Sequence, residues 1–467
     1  MRTNTTFLSL ITALLLSGCS LSPTLQTPTL ELPSAQSEVL HVKPLWWKQF
    51  NDEALNTLIE EALAHSDDVK LSALKILKAR QTYGLSDATT YPTLNATAGS
   101  TRQQTSNEAY TTKDKRATYQ DSNLGLTLGY EIDLWGKLSS QSQANWSAYL
   151  SSKAAAQTVK NSLIHEVTLA YFNMASLDAR MRILEQSAIV YRQNYEFRTK
   201  QYQSGSINEL LANQAKAQYN NVLSQKESLL ESKKIQESAL AILVGKTPAT
   251  FFNASSTLKP NLPKPLSIPS GIPSSLLESR PDIAEALENV RSKNALIGVE
   301  KASYFPNISL TGSFGQQSES LDNILKSSAT KWSFGPSLSV PIFDFGRIKQ
   351  RVAISETDLQ SSLISYEQSV KKAYKEVHDA LARTQSAQNR IAFSQEELSA
   401  YEKSLSLASK RFEKGAASSL EVIDAQKNVL STTLSLITTQ QALLASQAEL
   451  FKALGSGWDT SMLLEEK

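Results

Sequence analysis

The sequence predicts a mainly α-helical protein with a smaller β part, built from two copies of one unit. Three observations lead to this fold class. Two long stretches of the 467-residue chain, 93 to 247 and 342 to 467, contain no proline, which favours long helices. Two short segments alternate apolar and polar residues, as strands with two different faces do. Several motifs recur at a constant displacement, which indicates an internal duplication.

The N-terminus has the form of a secretory signal that ends at a cysteine. Arg2 precedes a short apolar run, so we expect residues 1–18 to be a signal peptide. The segment Leu16-Ser17-Gly18-Cys19 resembles a bacterial lipobox, whose cysteine receives a diacylglycerol and becomes the new N-terminus. We therefore predict that Cys19 is lipidated. The alternative is an ordinary signal peptide with an incidental cysteine.

Composition excludes several classes of protein. Cys19 is the only cysteine, so no intramolecular disulfide can form. The 47 basic and 45 acidic residues give a net charge of +2, which is too balanced to indicate a nucleic-acid partner. No later run of 18 or more apolar residues exists, so any crossing of a membrane must use strands.

The first predicted repeat covers residues 51–245, after a proline-containing extended lead-in at 19–50. Asn51 or Asp52 is expected to cap a helix that runs to about Tyr83. A β-hairpin follows at about 93–134, and its second strand has the clearer alternation of apolar and polar residues.

A long helical hairpin completes this repeat. Residues 137–204 contain neither glycine nor proline and predict a helix on the order of 100 Å in length. Apolar residues within it keep a heptad spacing, which is typical of a coiled coil. Gly205 is expected to turn the chain back on itself.

The second predicted repeat covers residues 275–455. Trp135-Gly136-Lys137 matches Phe345-Gly346-Arg347 at a displacement of 210, and Gly205 matches Gly415 at the same displacement. Tyr91-Pro92 matches Phe305-Pro306 at 214, so the second β-hairpin, at about 307–344, is four residues shorter. A proline-rich linker at 246–274 separates the repeats, and a tail at 456–467 follows the second one.

The two β-hairpins cannot form a complete membrane structure alone. A membrane β-barrel needs at least about eight strands to leave no unpaired edge in lipid, and one chain supplies four. The sequence therefore predicts that several chains combine.

These features resemble the outer membrane factor family of TolC-like efflux proteins, in the lipoprotein branch that contains OprM and CusC. The resemblance is carried by the lipobox, Trp46-Trp47, Leu134-Trp135-Gly136-Lys137, the turns at Gly205 and Gly415, and Arg280-Pro281-Asp282-Ile283. It implies a homotrimer with a twelve-stranded transmembrane β-barrel, an α-barrel of coiled-coil helical hairpins through the periplasm, and an equatorial belt from 21–50, 246–274 and 456–467. It implies as partners outer-membrane lipid, a periplasmic adaptor protein and, through that adaptor, an inner-membrane transporter.

The resemblance also implies working residues at the helical turns. Glu421 and Asp424 align with acidic residues of a periplasmic gate. The alternative is a solvated acidic face near a helix start, where the helix dipole favours carboxylates. Adaptor-docking positions are implied at the two turns, and the alternative there is two helix-ending glycines with no partner. These positions are Ser204, Gly205, Ser206, Lys414, Gly415 and Ala416.

No catalytic, cofactor or metal site is expected, because the four histidines are isolated in sequence and no hydrolase or metal-ligand spacing occurs. We therefore expect the outer-membrane channel of a tripartite, RND-type efflux system, a passive exit duct for drugs or other small toxic solutes. The alternatives are a pore-less lipid-anchored coiled-coil structural or adhesive protein, or an exit duct for protein secretion or metal-ion efflux.

Overall fold

The computed structural model describes residues 21–26, 44–104, 106, 118–255, 261–267, 280–458 and 460–463. The predicted signal peptide and Cys19 lie outside the described residues, as do parts of the lead-in, the linker and the tail. The chain divides into two compact units. The sheet unit comprises Met1–Thr29, Lys75–Ser152 and Glu285–Glu367. The helix unit comprises Leu30–Leu74, Lys153–Ala284 and Gln368–Lys467.

Long helices and four strands make up the described chain, which confirms the predicted fold class. The helices are α1 (Glu53–His65), α2 (Asp67–Ala88), α3 (Lys137–Gln203), α4 (Glu209–Leu243), α5 (Pro248–Ser255), α6 (Pro281–Ala302), α7 (Arg347–Glu413) and α8 (Ser419–Ala453). The strands are β1 (Thr93–Gln104), β2 (Thr118–Ile132), β3 (Asn307–Ser318) and β4 (Thr330–Ser339). Short 3-10 turns lie at Trp46–Phe50, Leu321–Asn323, Ser327–Ala329, Gly455–Gly457 and Thr460–Leu463.

Helix lengths repeat between the two halves of the chain. Helices α2 and α6 have 22 residues each, α3 and α7 have 67 each, and α4 and α8 have 35 each. The ends of α3 and α4 are displaced from those of α7 and α8 by the 210 residues found in the sequence motifs. The duplication is therefore a property of the fold as well as of the sequence.

The helix predicted to run from residue 52 to about Tyr83 is in fact two helices. Asp52 caps α1, since its Oδ1 accepts hydrogen bonds from the Ala54 and Leu55 amides. The chain leaves the helical conformation at Ser66, with ψ at 133°, and α2 begins at Asp67 and continues to Ala88. Asp67 and Asp68 lie in the first turn of α2, where carboxylates stabilise a helix start. The sequence prediction was wrong at this break because no glycine or proline marks it.

The sheet unit contains one antiparallel sheet in the order β1-β2-β3-β4. Thr93 pairs with Gly129 in the first hairpin, and Asn307 pairs with Ser339 in the second. Ile132 pairs with Ile308 where β2 meets β3, so the two repeats share one sheet. The outer strands β1 and β4 are its edges.

The main hydrophobic core lies in the helix unit. Trp46 is fully buried and stacks on Phe451, with ring centroids 5.1 Å apart. Tyr171 is also buried, and its hydroxyl donates a 2.7 Å hydrogen bond to Asp52. These contacts hold the lead-in residues and α1 against α3 and α8.

Candidate functional site

One face of the sheet is apolar and exposed in the single chain. The register sets Leu126 opposite Phe314, and Phe314 opposite Trp332, so apolar residues of neighbouring strands lie side by side. Phe314 is 63% exposed and Trp332 is 73% exposed. The opposite face carries serine, threonine and glycine, as in the pairs Thr127 with Ser313 and Ser313 with Ser333. Such a sheet matches an apolar medium on one side and water on the other.

Both edges of the sheet lack a partner strand in the described part of the chain. Every residue of β1 is exposed, and most of β4 is exposed as well. Unpaired backbone amides and carbonyls are tolerated in water but cost several kcal/mol each in lipid. Among the described residues, no helix has the length and apolar character needed to cross a bilayer.

The junctions between strands and long helices are capped by carboxylates. Asp133 accepts hydrogen bonds from the amides of Leu138 and Ser139 at the start of α3. Asp344 does the same for Gly346 and Ile348 at the start of α7, and these backbone bonds lower the pKa of Asp344. Each carboxylate therefore satisfies two of the free amides at the start of its helix.

The two helical turns have the same backbone geometry. Gly205 and Gly415 both adopt a φ of +72°, a left-handed conformation that favours glycine. The Ser206 amide donates to the Gln201 carbonyl, and the Ala416 amide donates to the Arg411 carbonyl, at 2.8 Å in each turn. This is the Schellman pattern that ends a helix before a reversal. All six predicted docking residues, Ser204–Ser206 and 414–416, are exposed.

The carboxylate of Glu421 is engaged inside the second turn. Its Oε1 accepts from the Ser418 amide, and the Ser418 hydroxyl accepts from the Glu421 amide, which forms a capping box. Its Oε2 lies 3.6 Å from Arg411 Nη1. Arg411 also donates to the Ala416 carbonyl. The sequence reasoning missed this arginine, although it lies four residues before Gly415.

Asp424 lies one helical turn beyond Glu421 and differs from it in its contacts. It is exposed, and no cation among the described residues lies within ion-pair distance of it. The two acidic residues that were predicted to act as a pair, Glu421 and Asp424, therefore differ in whether their carboxylates have partners. Glu421 stabilises its own turn, whereas the charge of Asp424 has no ion-pair partner in the part of the chain that the structure describes.

A second feature that the sequence did not reveal links the two turns in the helix unit. Arg198 of α3 is only 8% exposed, and its guanidinium lies 5.4 Å from the ring centroid of Phe412 in α7. A cation over an aromatic face is an attractive contact. Large apolar residues are exposed at equivalent positions of both turns. They are Tyr202 and Leu210 in the first turn, and Phe412 and Leu420 in the second.

A buried ionic cluster lies where the second repeat begins. Arg280 is 6% exposed and forms a two-pronged contact with Asp282, at 2.9 and 2.7 Å. It also donates to Glu376 of α7 and to the carbonyl of Ala453, the last residue of α8. Burial alone would lower the pKa of Arg280, but its hydrogen bonds and ion pairs with Asp282 and Glu376 raise it. The described residues hold no group of three or more acidic, histidine or cysteine side chains arranged for a metal ion.

Comparisons with known proteins identify the fold family. Residues 58–246 and 272–456 match the model of the outer membrane efflux protein family. The chain is 33% identical over 458 residues to the cation efflux system protein CusC of Escherichia coli O6:H1, covering 96% of this chain and 97% of that protein. It is 31% identical over 469 residues to the solvent efflux pump outer membrane protein SrpC of Pseudomonas putida, covering 97% of this chain and 98% of that protein.

A solved structure has the same architecture. The outer membrane channel CmeC of Campylobacter jejuni aligns with a TM-score of 0.91 at 26% identity, over 96% of this chain and 98% of that one. The matches to the family model coincide with the two repeats, and the strands and long helices recur in the solved channel. The chain belongs to the outer membrane efflux protein family and is an outer-membrane efflux channel.

Proposed function

We propose that this channel works as a homotrimer and is the passive exit duct of a tripartite efflux pump. The observation that carries the proposal is the four-stranded sheet with an exposed apolar face and two open edges. Further copies of the chain would complete the sheet, cover its edges and turn its polar face to a water-filled passage. The duct itself catalyses no reaction in this proposal.

The helical turns are the proposed contact with a periplasmic adaptor. Ser204, Gly205 and Ser206 in one turn, with Lys414, Gly415 and Ala416 in the other, are exposed and share one backbone geometry. The exposed apolar residues beside them add a surface that a helical partner can cover. The inner-membrane transporter supplies the energy and reaches the duct through this adaptor.

Asp424 is the proposed principal gate residue. In a threefold tube, three copies of its uncompensated carboxylate would form a ring at the second helical turn. Glu421 contributes less to such a ring because its carboxylate is held by Ser418 and Arg411. A solvated acidic face remains the alternative, and conductance distinguishes the two.

Cys19 is the proposed lipid anchor, on the evidence of the lipobox alone. Cargo is proposed to be drugs or other small toxic solutes, in line with the solvent efflux of SrpC. The cation efflux named for CusC supports metal ions as a second candidate. The chain has only four methionines, which gives little soft-metal ligation along the duct, although a passive duct does not need to bind its cargo.

Single-channel conductance in planar bilayers tests the duct and its gate together. We expect small or rare openings in the parent protein, much larger ones in Asp424→Ala, and a smaller increase in Glu421→Ala. Gln214→Ala, at the equivalent uncharged position of the first repeat, is the matched control and should leave conductance unchanged. A folded trimer that conducts no ions even in the Glu421→Ala, Asp424→Ala double variant would contradict the proposed passive duct.

A further inference from the structure

An open groove of about 700 Å³ lies in the helix unit, between the faces of three helices. Helix α3 contributes His165 and Leu169, which are four residues apart and therefore share one helix face. Helix α7 contributes a similar row between residues 382 and 390, and α8 contributes one between residues 441 and 449. The groove is thus built from continuous helix faces and not from loops.

The groove depends on small residues that the first repeat does not have. Ala387 and Ala445 line it. The displacement of 210 residues makes Leu177 the counterpart of Ala387, and Ile235 the counterpart of Ala445. Leucine and isoleucine on the same helix faces would occupy part of this space, so the groove is a feature of the second repeat.

One end of the groove holds a buried acceptor without a donor. His165 is 9% exposed, and its ring donates a hydrogen bond to the Ala448 carbonyl. Its Nδ1 is buried and has no hydrogen-bond partner among the described residues. Burial lowers the pKa of His165 to about 4, so the ring is neutral at pH 7 and Nδ1 carries a lone pair. A ligand hydroxyl or N–H would supply the donor that Nδ1 lacks.

The other end of the groove carries an unpaired positive charge. Near His165, Arg383 donates to both carboxylate oxygens of Glu449 at 2.6 Å, so these two charges neutralise each other. Arg390 is seven residues beyond Arg383 on the same face of α7, which places it about 10 Å further along the groove. No carboxylate of the described chain lies within ion-pair distance of Arg390. This end therefore favours an anion.

The described linker residues 261–267 lie on the other side of α8. Gln447 forms two hydrogen bonds with the backbone of Leu266, at 3.0 and 2.6 Å. Gln447 follows the groove residue Ala445 by two positions, which corresponds to about 200° around a helix. The linker contact and the groove are therefore on opposite faces of α8, and the groove stays open to solvent.

We propose that this groove binds an elongated anionic amphiphile that carries a hydroxyl or an N–H at the end remote from its charge. The anion lies at Arg390, and the donor lies at His165. The apolar stem between them contacts Leu169, Ala387 and Ala445. One chain forms the whole site. Its use as a contact for passing cargo rests on the proposed duct, in which the belt surrounds the helices and the groove faces the passage.

Equilibrium dialysis of the purified full-length protein tests this site, with radiolabelled 10-hydroxydecanoate as the probe and protein-free detergent micelles as the blank. Decanoate lacks the hydroxyl group, and 1,10-decanediol lacks the charge. Each should bind about fivefold more weakly than 10-hydroxydecanoate, which is the effect expected for the loss of one hydrogen bond. Equal Kd values for the three compounds would overturn the proposed recognition of both ends.

Two variants place the binding in the groove. Arg390→Gln should raise the Kd of 10-hydroxydecanoate about fivefold and leave that of 1,10-decanediol unchanged. Arg180→Gln, at the equivalent position of the first repeat, is the matched control and should change neither Kd. The double variant Ala387→Leu, Ala445→Ile introduces the residues of the first repeat and should abolish saturable binding. Circular dichroism measures whether each variant keeps its helix content.

The outcomes separate this site from the proposed duct. An unchanged Kd in Arg390→Gln, or saturable binding that survives in a folded Ala387→Leu, Ala445→Ile variant, overturns the site. Either result leaves the duct intact, because conductance is measured separately. A parent protein that binds the probe as expected, but conducts no ions even with its acidic gate residues removed, contradicts the duct and supports the groove as a binding site.

Discussion

Removing Arg280 should destabilise the helix unit more than removing an exposed arginine does. The Arg280 guanidinium supplies hydrogen bonds to Asp282, Glu376 and the Ala453 carbonyl, and its side chain is 7% exposed. Arg280→Ala removes the guanidinium from all three acceptors, although Asp282 keeps its hydrogen bond from the Ile283 amide and Glu376 keeps Lys372 at 4.0 Å. Breaking a buried ion pair by removing one partner costs roughly 3 to 5 kcal/mol. Asp282 and Glu376 are 28% and 34% exposed, so water can solvate them in part. We therefore expect a loss of about 3 kcal/mol.

The assay is urea-induced loss of the helical circular-dichroism signal in detergent solution. Arg192→Ala is the control, because the Arg192 and Glu196 side chains are 56% and 60% exposed and such a pair contributes less than about 1 kcal/mol. Arg280→Lys keeps the charge but cannot form the two-pronged contact with Asp282. Its free energy of unfolding should therefore lie between those of Arg280→Ala and Arg192→Ala. If Arg280→Ala and Arg192→Ala lower the free energy of unfolding equally, the buried cluster around Arg280 does not stabilise the helix unit more than an exposed ion pair does.

Three further predictions concern pH, assembly and anchoring. Burial, with a smaller contribution from the charge of Lys452, lowers the pKa of His165 to about 4. Stability that depends on neutral His165 is therefore present above pH 6.5 and lost as the pH falls towards 4, by about 2 kcal/mol at pH 5. His165→Gln should flatten the stability profile between pH 7 and pH 5, and an unchanged profile would contradict this. Gly84→Leu should leave the helix content of the chain unchanged, because a Cβ at Gly84 would meet nothing within 4 Å among the described residues, but lower the trimer fraction several-fold in light scattering. A normal trimer would show that no second copy packs closely against Gly84. Cys19→Ala should abolish metabolic labelling with a fatty acid, and labelling that persists would place the anchor elsewhere.

The features predicted correctly from sequence are those that depend on a single residue type or on a periodic spacing of apolar residues. Gly205 and Gly415 end helices because a left-handed turn favours glycine, and that requirement is visible in the sequence. The apolar face of the sheet follows from the alternation of side chains along a strand. The break at Ser66 was missed because no glycine or proline marks it, although Ser66 followed by Asp67 and Asp68 is a sequence of the kind that starts a helix.

The missed contacts join residues that are distant in sequence or ordinary in type. Arg280 was recognised only as part of the motif Arg280-Pro281-Asp282-Ile283, since Glu376 and Ala453 lie 96 and 173 residues away. The Arg411 contact with Glu421 crosses a turn, and sequence spacing alone did not distinguish Glu421 from Asp424. A pattern identifies the face on which a carboxylate lies, but it does not identify the cation that reaches it.

The open edges of β1 and β4 have a consequence for the order of folding. The hairpin contacts are local in sequence and form at a rate that does not depend on protein concentration. In the proposed homotrimer, completion of the sheet is a reaction between chains, so its rate rises with the number of chains present and its stability depends on mass action. Until that encounter, the exposed edge strands can pair with unrelated chains. Correct assembly is therefore a kinetic competition, and low copy number or slow delivery to the membrane lowers its yield even when each chain folds normally.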